Sequence, residues 1–525
     1  MLRACASEEA RLAAGLPEGL DAAAFALRLR RACEDDASAG AARTLGGPQA
    51  AALRGADPAR RRCLERAARE GASVSLAVFR PLSRCARLRF SGRACDPEVE
   101  VARAVRALDR ATVAVARACP DLEESIGVAP GTLLEGAARR ARCLVPAAHG
   151  EEGAAGLDCG PRSGLPALEP GVPVQIVLPE ESGARCGDGS PYAFLVRRAP
   201  VGAPPERVLV ALQGGGVCLA GDCAARSPGL FRALDEDEIP TGGILDPDPA
   251  RNPFANYTVV YLPYCTQDVF LGGGAVQELP GLSLHRSGAR NVRAALEVVR
   301  DLLWRELDAA GGEGYRADRP RVFFGGFSAG GFGTIYNLHY LLDELRWVHT
   351  TAWPDAALGL DNGSLVGLRG LVALATAAWG SRSVLPPYCL RPECGVVPEI
   401  LRATAERLIP ASGQAVLLIS NQVDDTQLST TFFPDRVSFV NALRDAVCDL
   451  RGLPGLHFFL PASPGSIHVL AGRDSTFHDL RVGGVSLRDF LAAAVAEPPA
   501  PVDRVEEGSL VDLLPGVLPF PCELP

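Results

Sequence analysis

The chain has 525 residues, of which 47% are hydrophobic, and a formal net charge of −9. This length exceeds that of a usual single domain, and the apolar content is enough for a sizeable core. The negative charge disfavours nucleic acid as a partner, and the lack of any run of about 18 apolar residues predicts no transmembrane segment.

Sixteen cysteines, an even number, are spread along the chain. They form no C-x-x-C pair and no cluster with histidine at zinc-like spacing, so we expect no metal. Disulfides made in an oxidising compartment explain this cysteine content better than buried free thiols do. We therefore predict a secreted, periplasmic or cell-surface protein, although the first residues contain no apolar signal core.

Residues 1–146 are rich in Ala, Arg, Leu and Glu, and apolar residues recur at helical spacing over 57–88 and 97–120. This pattern predicts an all-α accessory domain without catalytic residues, and we expect it to contact another protein or a surface. Cysteines would join its helices to one another. They are Cys5, Cys33, Cys63, Cys85, Cys95, Cys119 and Cys143.

A Gly- and Pro-rich segment at 147–171 predicts a linker, and the pattern changes after it. From residue 172 to 525, short β-branched or aromatic runs alternate with helical stretches such as 289–311 and 332–348. The runs lie at 207–213, 257–263, 321–326, 415–420 and 456–461. Such alternation predicts a catalytic domain built on a mostly parallel sheet with helices on both faces, and ligands at the carboxyl ends of its strands.

The segment Gly326-Phe327-Ser328-Ala329-Gly330 is a G-x-S-x-G directly between a predicted strand and a predicted helix. A nucleophile on such a sharp turn needs small neighbours, which glycine and alanine supply here. The pattern indicates that Ser328 is a nucleophile. A purely structural glycine turn is the alternative.

A serine nucleophile needs a histidine base, which in this fold class follows it along the chain. The histidines after Ser328 are His339, His349, His457, His468 and His478. The first two belong to the helix that leaves the turn or to its end, and His457 begins a strand. His468 lies in a loop after the last predicted strand, where a catalytic histidine is expected, and His478 is the alternative.

The base in turn needs an acid that orients it. Asp424 and Asp425 follow the strand at 415–420 directly, and their loop could reach toward His468. Two adjacent aspartates do not normally both face one imidazole, so one of them is a bystander. Asp361 is the third choice.

Catalysis at an ester also needs backbone N–H groups that stabilise an oxyanion. One is expected from Ala329, directly after the nucleophile. Another is expected from Gly214-Gly215-Gly216, a loop that follows the strand at 207–213. Phosphate binding is the weaker interpretation of this loop, because no phosphate-binding motif accompanies it. Two short cysteine pairs, Cys218 with Cys223 and Cys389 with Cys394, are disulfide candidates.

Taken together, these segments resemble the pectin acetylesterase, or Notum-like, family over roughly residues 180–495. The matching blocks lie, in order, at 186–196, 212–223, 252–273, 325–333, 421–427 and 466–491. The resemblance implies an α/β-hydrolase-like fold, serine carboxylesterase chemistry, and no metal or other cofactor. It departs at Val217, where the family usually has tryptophan, and at Phe327, where it often has a smaller residue.

Residue by residue, the resemblance assigns Ser328 as nucleophile, Asp424 as acid and His468 as base. It assigns the oxyanion hole to the backbone of Gly216, Val217 and Ala329. The expected substrate is an acylated carbohydrate or another ester, with acetyl as the expected acyl group. The alternatives are an acyltransferase, an esterase for longer acyl chains, and a secreted binding protein whose hydrolase domain is a relic.

Overall fold

The structure is a computed structural model, and it describes residues 56–102, 104–122, 129–154, 166–178, 182–204, 206–219, 231–232, 239–279, 282–309, 321–344, 348–364, 367–386, 397–407, 415–431, 433–496, 499–507 and 509–523. Of the predicted sites, Cys5, Cys33, Cys223, Cys389 and Cys394 lie outside these residues.

Four helices form the first part of the described chain. They are α1 (Pro58–Phe90), α2 (Pro97–Ala102), α3 (Val105–Ala118) and α4 (Pro130–Ala154). Helix α1 begins where proline occupies its first position and the Asp57 side chain accepts the N–H groups of Ala59 and Arg60. The helical prediction for this region is confirmed.

The helices pack through apolar residues that recur on one side of each. One cluster joins α1, α3 and α4 through Leu64, Val115 and Leu134, all fully buried. Phe79 and Leu144 instead belong to the large core cluster of the sheet region. The boundaries at residues 146 and 171 stay predictions, and α4 continues into the segment predicted as a linker.

Cysteines of the helical region behave in two ways. Cys85 and Cys95 form a disulfide that joins α1 to the segment before α2. Cys63 and Cys119 are free, buried thiols that hydrogen-bond to one another between α1 and the end of α3. The prediction that the cysteines of this region are disulfide-bonded is therefore wrong for Cys63 and Cys119.

The strands of the second region are β1 (Pro173–Val177), β2 (Ala193–Arg197), β3 (Arg207–Leu212), β4 (Thr258–Leu262), β5 (Ala275–Leu279), β6 (Leu282–Arg286), β7 (Arg321–Phe327), β8 (His349–Asp355), β9 (Ala415–Ile419), β10 (Leu456–Leu460), β11 (Arg481–Val482), β12 (Val485–Ser486) and β13 (Arg504–Val505). Nine of them form one sheet in the order β1-β2-β4-β3-β7-β8-β9-β10-β13. Pairing is antiparallel from β1 to β4 across β2, and parallel over the rest.

The helices of this region are α5 (Gly288–Ala309), α6 (Ala329–Glu344), α7 (Leu368–Ala378), α8 (Val397–Arg407), α9 (Asp425–Thr430), α10 (Arg436–Leu450), α11 (Leu487–Ala494) and α12 (Ser509–Leu513). Alternate residues of β3 show how the sheet is covered. Val208 and Val210 lie in the core cluster that contains α5, α6 and α10, whereas Leu209 lies in the one that contains α11. The predicted mostly parallel sheet with helices on both faces is confirmed.

One central strand was missed by the sequence prediction. Strand β8 follows α6, and His349 was assigned to the end of that helix, but His349 is the first residue of the strand. The segment between helix and strand has no glycine or proline that would mark a break. None of the described helices has the length and apolar character that crossing a bilayer requires.

The thiol pair in the helical region gives a first test. Burial raises the pKa of Cys119 to about 12, and the hydrogen bond to Cys63 adds to this. The reactive thiolate is therefore scarce at pH 8, and the sulfur is also shielded from solvent. We expect iodoacetamide to leave both cysteines unmodified in the native protein and to alkylate both after unfolding, as measured by peptide mass spectrometry. Rapid alkylation of either native thiol at pH 8 would contradict this packing.

Candidate active site

Ser328 occupies a sharp turn between β7 and α6. It has a φ of +53°, a left-handed conformation that non-glycine residues rarely adopt. The strand ends at Phe327 and the helix begins at Ala329, so this one residue makes the whole connection. A glycine is required at 330, since a Cβ there would lie 2.1 Å from the carbonyl oxygen of Leu212. This is the geometry of a nucleophile elbow.

The structure brings the side chains of His468 and Asp424 together. The Nδ1 atom of His468 lies 2.8 Å from Oδ2 of Asp424, whose side chain is fully buried, whereas the imidazole remains 21% exposed. His468 belongs to the segment 461–474 between β10 and the turn at Ser475–Asp479, which we name the histidine loop. A neutral imidazole that donates from Nδ1 keeps a lone pair at Nε2 for a proton.

Asp424 is held by a second set of bonds, because it caps helix α9. Its Oδ1 accepts the N–H groups of Thr426 and Gln427 at 3.0 Å, and its Oδ2 accepts the side-chain amide of Gln427 at 2.9 Å. These donors fix the rotamer of the carboxylate. They leave Oδ2 directed at the imidazole.

The other acids proposed from the sequence bind elsewhere. Asp425 is half exposed and forms a two-pronged ion pair with Arg436, which holds the pKa of that carboxyl below its usual value. Asp361 pairs with Arg369 at 2.6 Å. The neighbouring aspartates at 424 and 425 thus face different partners.

Three of the remaining histidines lie away from this pair. His339 is buried within α6. His349 is exposed at the start of β8, whereas Ser328 follows the opposite, carboxyl end of the parallel strand β7. His457 lies near the start of β10 and its Nδ1 is 3.2 Å from Asp503.

His478 belongs to a separate polar cluster beside the histidine loop. Its ligand-type nitrogen and carboxylate oxygens of Asp246 and Asp474 lie within 4.8 Å of one another. Arg251 reaches both carboxylates, at 3.1 Å and 2.8 Å respectively. The hydrogen bond from Gly243 and the ion pair with Arg251 lower the pKa of Asp474. An arginine therefore supplies the positive charge that this cluster faces.

The glycine loop lies directly against the elbow. A Cβ on Gly214 would be 2.8 Å from the carbonyl oxygen of Phe327 and 3.3 Å from Cβ of Ser328, so only glycine allows this approach. Gly216 has a φ of +79°, and the hydroxyl of Tyr264 donates to its carbonyl oxygen at 3.0 Å. The loop predicted to form the oxyanion hole is thus next to Ser328.

A buried polar network supports this loop from behind. Arg286 is fully buried and donates to the carbonyl oxygens of Cys218, Thr266 and Gln267. Asp268 faces it, and burial raises the pKa of that carboxyl despite bonds from Thr266 and from the backbone. The extended residue Val217 forms an isolated β-bridge with Asp268.

The segment behind the loop is also strained. Gln267, Val269 and Phe270 all have φ near +50°, which is costly for residues with a Cβ. The amide of Cys218 donates to Gln267 at 2.9 Å. Strain of this kind persists only where surrounding bonds impose it, and here those bonds support the glycine loop.

Disulfides occur both beside this region and in the C-terminal part. Cys186 bonds to Cys265, next to Tyr264, and Cys448 bonds to Cys522 in the C-terminal part. Cys218 is also disulfide-bonded. Because Cys223, Cys389 and Cys394 lie outside the described residues, the two predicted short pairings stay predictions.

The sequence analysis did not identify three residues that organise the site. They are Tyr264, Arg286 and Asp355. Asp355 ends β8, and its carbonyl oxygen accepts the N–H of Ser328 at 2.8 Å. A carboxylate at the end of a strand is a usable signal, but the sequence analysis did not predict β8 itself. The roles of Tyr264 and Arg286 depend on contacts far apart in the chain, which no local pattern reveals.

Comparison with solved structures gives the same fold. The chain resembles the structure of the Wnt deacylase Notum from Drosophila, with a TM-score of 0.50 and 20% sequence identity over 64% of this chain and 97% of that one. The mostly parallel central sheet with its helices thus has a Notum-like fold.

Two sequence relatives are informative. Palmitoleoyl-protein carboxylesterase notum1 of Xenopus laevis is 30% identical over 188 residues, which are 34% of this chain and 35% of the relative. An inactive palmitoleoyl-protein carboxylesterase notum1b of Danio rerio is 33% identical over 111 residues, 20% of this chain and 76% of the relative. The match therefore spans about a third of the length of the Xenopus laevis relative.

A family model extends the match beyond these relatives. The model described as pectinacetylesterase matches residues 169–450, more than half of the chain and all of the sheet from β1 to β9. The chain therefore belongs to the pectinacetylesterase family.

Proposed function

We propose that the protein is a serine carboxylic ester hydrolase in which Ser328 is the nucleophile, His468 the base and Asp424 the acid. The observation that carries the proposal is the pairing of His468 with a fully buried carboxylate, in a chain whose Ser328 has the strained conformation of a nucleophile elbow. Membership of the pectinacetylesterase family supports the same chemistry.

In the proposed mechanism, Nε2 of His468 takes the hydroxyl proton as Ser328 Oγ attacks the acyl carbon. The protonated imidazole then donates that proton to the departing alcohol oxygen, leaving an acyl-enzyme. Water attacks this ester, again with His468 as base, and the carboxylic acid is released. Asp424 keeps Nδ1 as the donor and stabilises the imidazolium.

The negative charge of each tetrahedral intermediate would be stabilised by backbone N–H groups of Gly216, Val217 and Ala329. Support comes from Gly214, which contacts the elbow, and from the start of α6 at Ala329, whose helix N-terminus favours negative charge. No cofactor takes part in these steps.

We propose an acetyl ester of a carbohydrate hydroxyl as the substrate, consistent with the family name. A longer acyl chain is the second candidate, because a relative is named a palmitoleoyl-protein carboxylesterase. Acyl transfer to another alcohol would use the same residues. A relic domain in a binding protein is the remaining alternative, and the relative named inactive gives it a precedent.

We also propose that the protein works in an oxidising compartment, outside the cell or in a periplasm, because three disulfides join described residues. The helical accessory domain is proposed to contact another protein or a surface. Exposed valines on α2 and α3, at 99, 105 and 113, support this role.

The nucleophile is tested by Ser328→Ala. Removing the hydroxyl removes the attacking group, so we expect kcat for p-nitrophenyl acetate to fall about 10⁵-fold. The thermal unfolding temperature should not fall, because alanine keeps the Cβ of serine in the turn and removes only the hydroxyl. A variant with more than a tenth of the wild-type kcat would exclude Ser328 as the nucleophile.

The acid is tested by a matched pair of neighbours. Asp424→Asn keeps the shape but disfavours the required tautomer of His468, so we expect kcat to fall about 10⁴-fold. Asp425→Asn removes the exposed ion pair with Arg436 and leaves the contact between Asp424 and His468 in place, so kcat should stay within about twofold. Equal losses in the two variants, measured with p-nitrophenyl acetate, would contradict the assignment.

The acyl group is tested by a series of p-nitrophenyl esters. An acetyl group needs no apolar channel beside Ser328, so we expect kcat/KM for the acetate to exceed that for the octanoate by at least about tenfold. Measurements below the solubility limit of each ester, and below any concentration at which it aggregates, keep the comparison valid. A kcat/KM that rises with chain length would favour the second candidate instead.

A further inference from the structure

Asp355 is a fully buried carboxyl at the end of β8, outside the proposed triad. Its Oδ2 accepts the N–H groups of Leu470 at 2.8 Å and of Ala471 at 2.7 Å, and its Oδ1 lies 3.1 Å from the amide of Leu470. These amides follow His468 by two and three residues. One side chain therefore holds the backbone of the histidine loop.

The backbone of Asp355 holds the nucleophile as well. Its carbonyl oxygen accepts the N–H of Ser328 at 2.8 Å, and in the parallel pairing of β7 with β8 it lies opposite Phe327. The ring of Phe327 in turn lies against Gly472 of the histidine loop. Asp355 is thus hydrogen-bonded both to Ser328 and to the loop that carries His468.

The histidine loop needs such an anchor because it is strained. Val469, directly after His468, has a φ of +66°, which a β-branched residue adopts at a cost. The two amides after Val469 are those bound by the carboxylate. Without these bonds the valine would relax to an extended or right-handed conformation and carry the imidazole with it.

The charge at this position is also costly. Burial raises the pKa of Asp355 to about 7, while the N–H groups of Ala471 and Leu470 oppose that rise. The charged groups that face it are His468, which favours the ionised form, and Asp424, which disfavours it. Burying a carboxylate costs free energy unless hydrogen bonds compensate for it. Here the compensating bonds come from the histidine loop, so we infer that the carboxylate holds that loop in place.

We propose that Asp355 is a positioning residue that sets the placement of His468 relative to Ser328. The inference rests on the proposed function, because positioning matters only if these two residues react together. It adds a fourth residue to the site and gives it a role distinct from that of Asp424, which contacts the imidazole itself.

The test is Asp355→Asn, which keeps the size of the side chain but replaces one acceptor oxygen with an NH₂ group facing a backbone N–H. We expect kcat for p-nitrophenyl acetate to fall about 10²-fold, with KM within about threefold of wild type. The control is Asp503→Asn, whose carboxyl accepts the amide of Phe458 on β10, away from the triad. That variant should keep the wild-type kcat.

A rescue experiment separates positioning from general destabilisation. Glycine adopts positive φ without penalty, so Val469→Gly should raise the kcat of the Asp355→Asn variant about tenfold, more than it changes the wild type. The matched control is Ala356→Gly, since Ala356 also has positive φ but bonds to Ile419 rather than to the loop. This change should give no rescue.

Folded Asp355→Asn protein with wild-type kcat would overturn the positioning role, as would equal rescue by the two glycine variants. If Asp355→Asn does not fold, Asp355→Glu takes its place: it keeps the charge and moves the carboxylate by one methylene, and an unchanged kcat overturns the proposal. Activity that survives Ser328→Ala would instead refute the proposed function.

Discussion

The hydrogen bonds of Asp355 are the constraint on which the rest of the site depends. Parallel strands end at one edge of a sheet, so β7 and β8 bring Phe327 and Asp355 side by side. From there one carbonyl oxygen holds the strained Ser328, and one carboxylate holds the histidine loop. The turn at Ser328 and the histidine loop, which are far apart in the chain, are thereby held by the same residue. Their relative position does not need a contact between their own side chains.

The glycine loop is also held by hydrogen bonds between residues that are far apart in the chain. Arg286 donates to the carbonyl oxygen of Cys218, which follows the glycine loop, and to those of Thr266 and Gln267 behind it, and the Tyr264 hydroxyl donates to Gly216. Arg286 and Asp268 are ionisable and fully buried, and three neighbouring residues have positive φ. Such features lower the stability of a domain, and they are concentrated where an esterase needs rigid backbone donors.

How much could be predicted from the sequence depended on whether the signal was local. The turn at Ser328 was predictable because its glycines and its flanking strand and helix adjoin it, and the pair of Asp424 and His468 followed from chain order together with family resemblance. Strand β8 was not predictable, because no glycine or proline separates its sequence from that of α6 and because it contains Pro354. The role of its last residue was hidden for a different reason: its partners lie 115 and 116 positions later. Positive φ at Val469 and Phe270 opposes local propensity, so tertiary bonds alone explain it.

Activation of Ser328 by His468 is the central claim, and a fluorophosphonate probe measures it directly, because such probes react with activated serine nucleophiles. After reaction of the folded protein, peptide mass spectrometry should locate one adduct, on the peptide that contains Ser328, and His468→Ala should abolish its formation. An adduct on another serine, or equal labelling in the His468→Ala variant, would contradict the account.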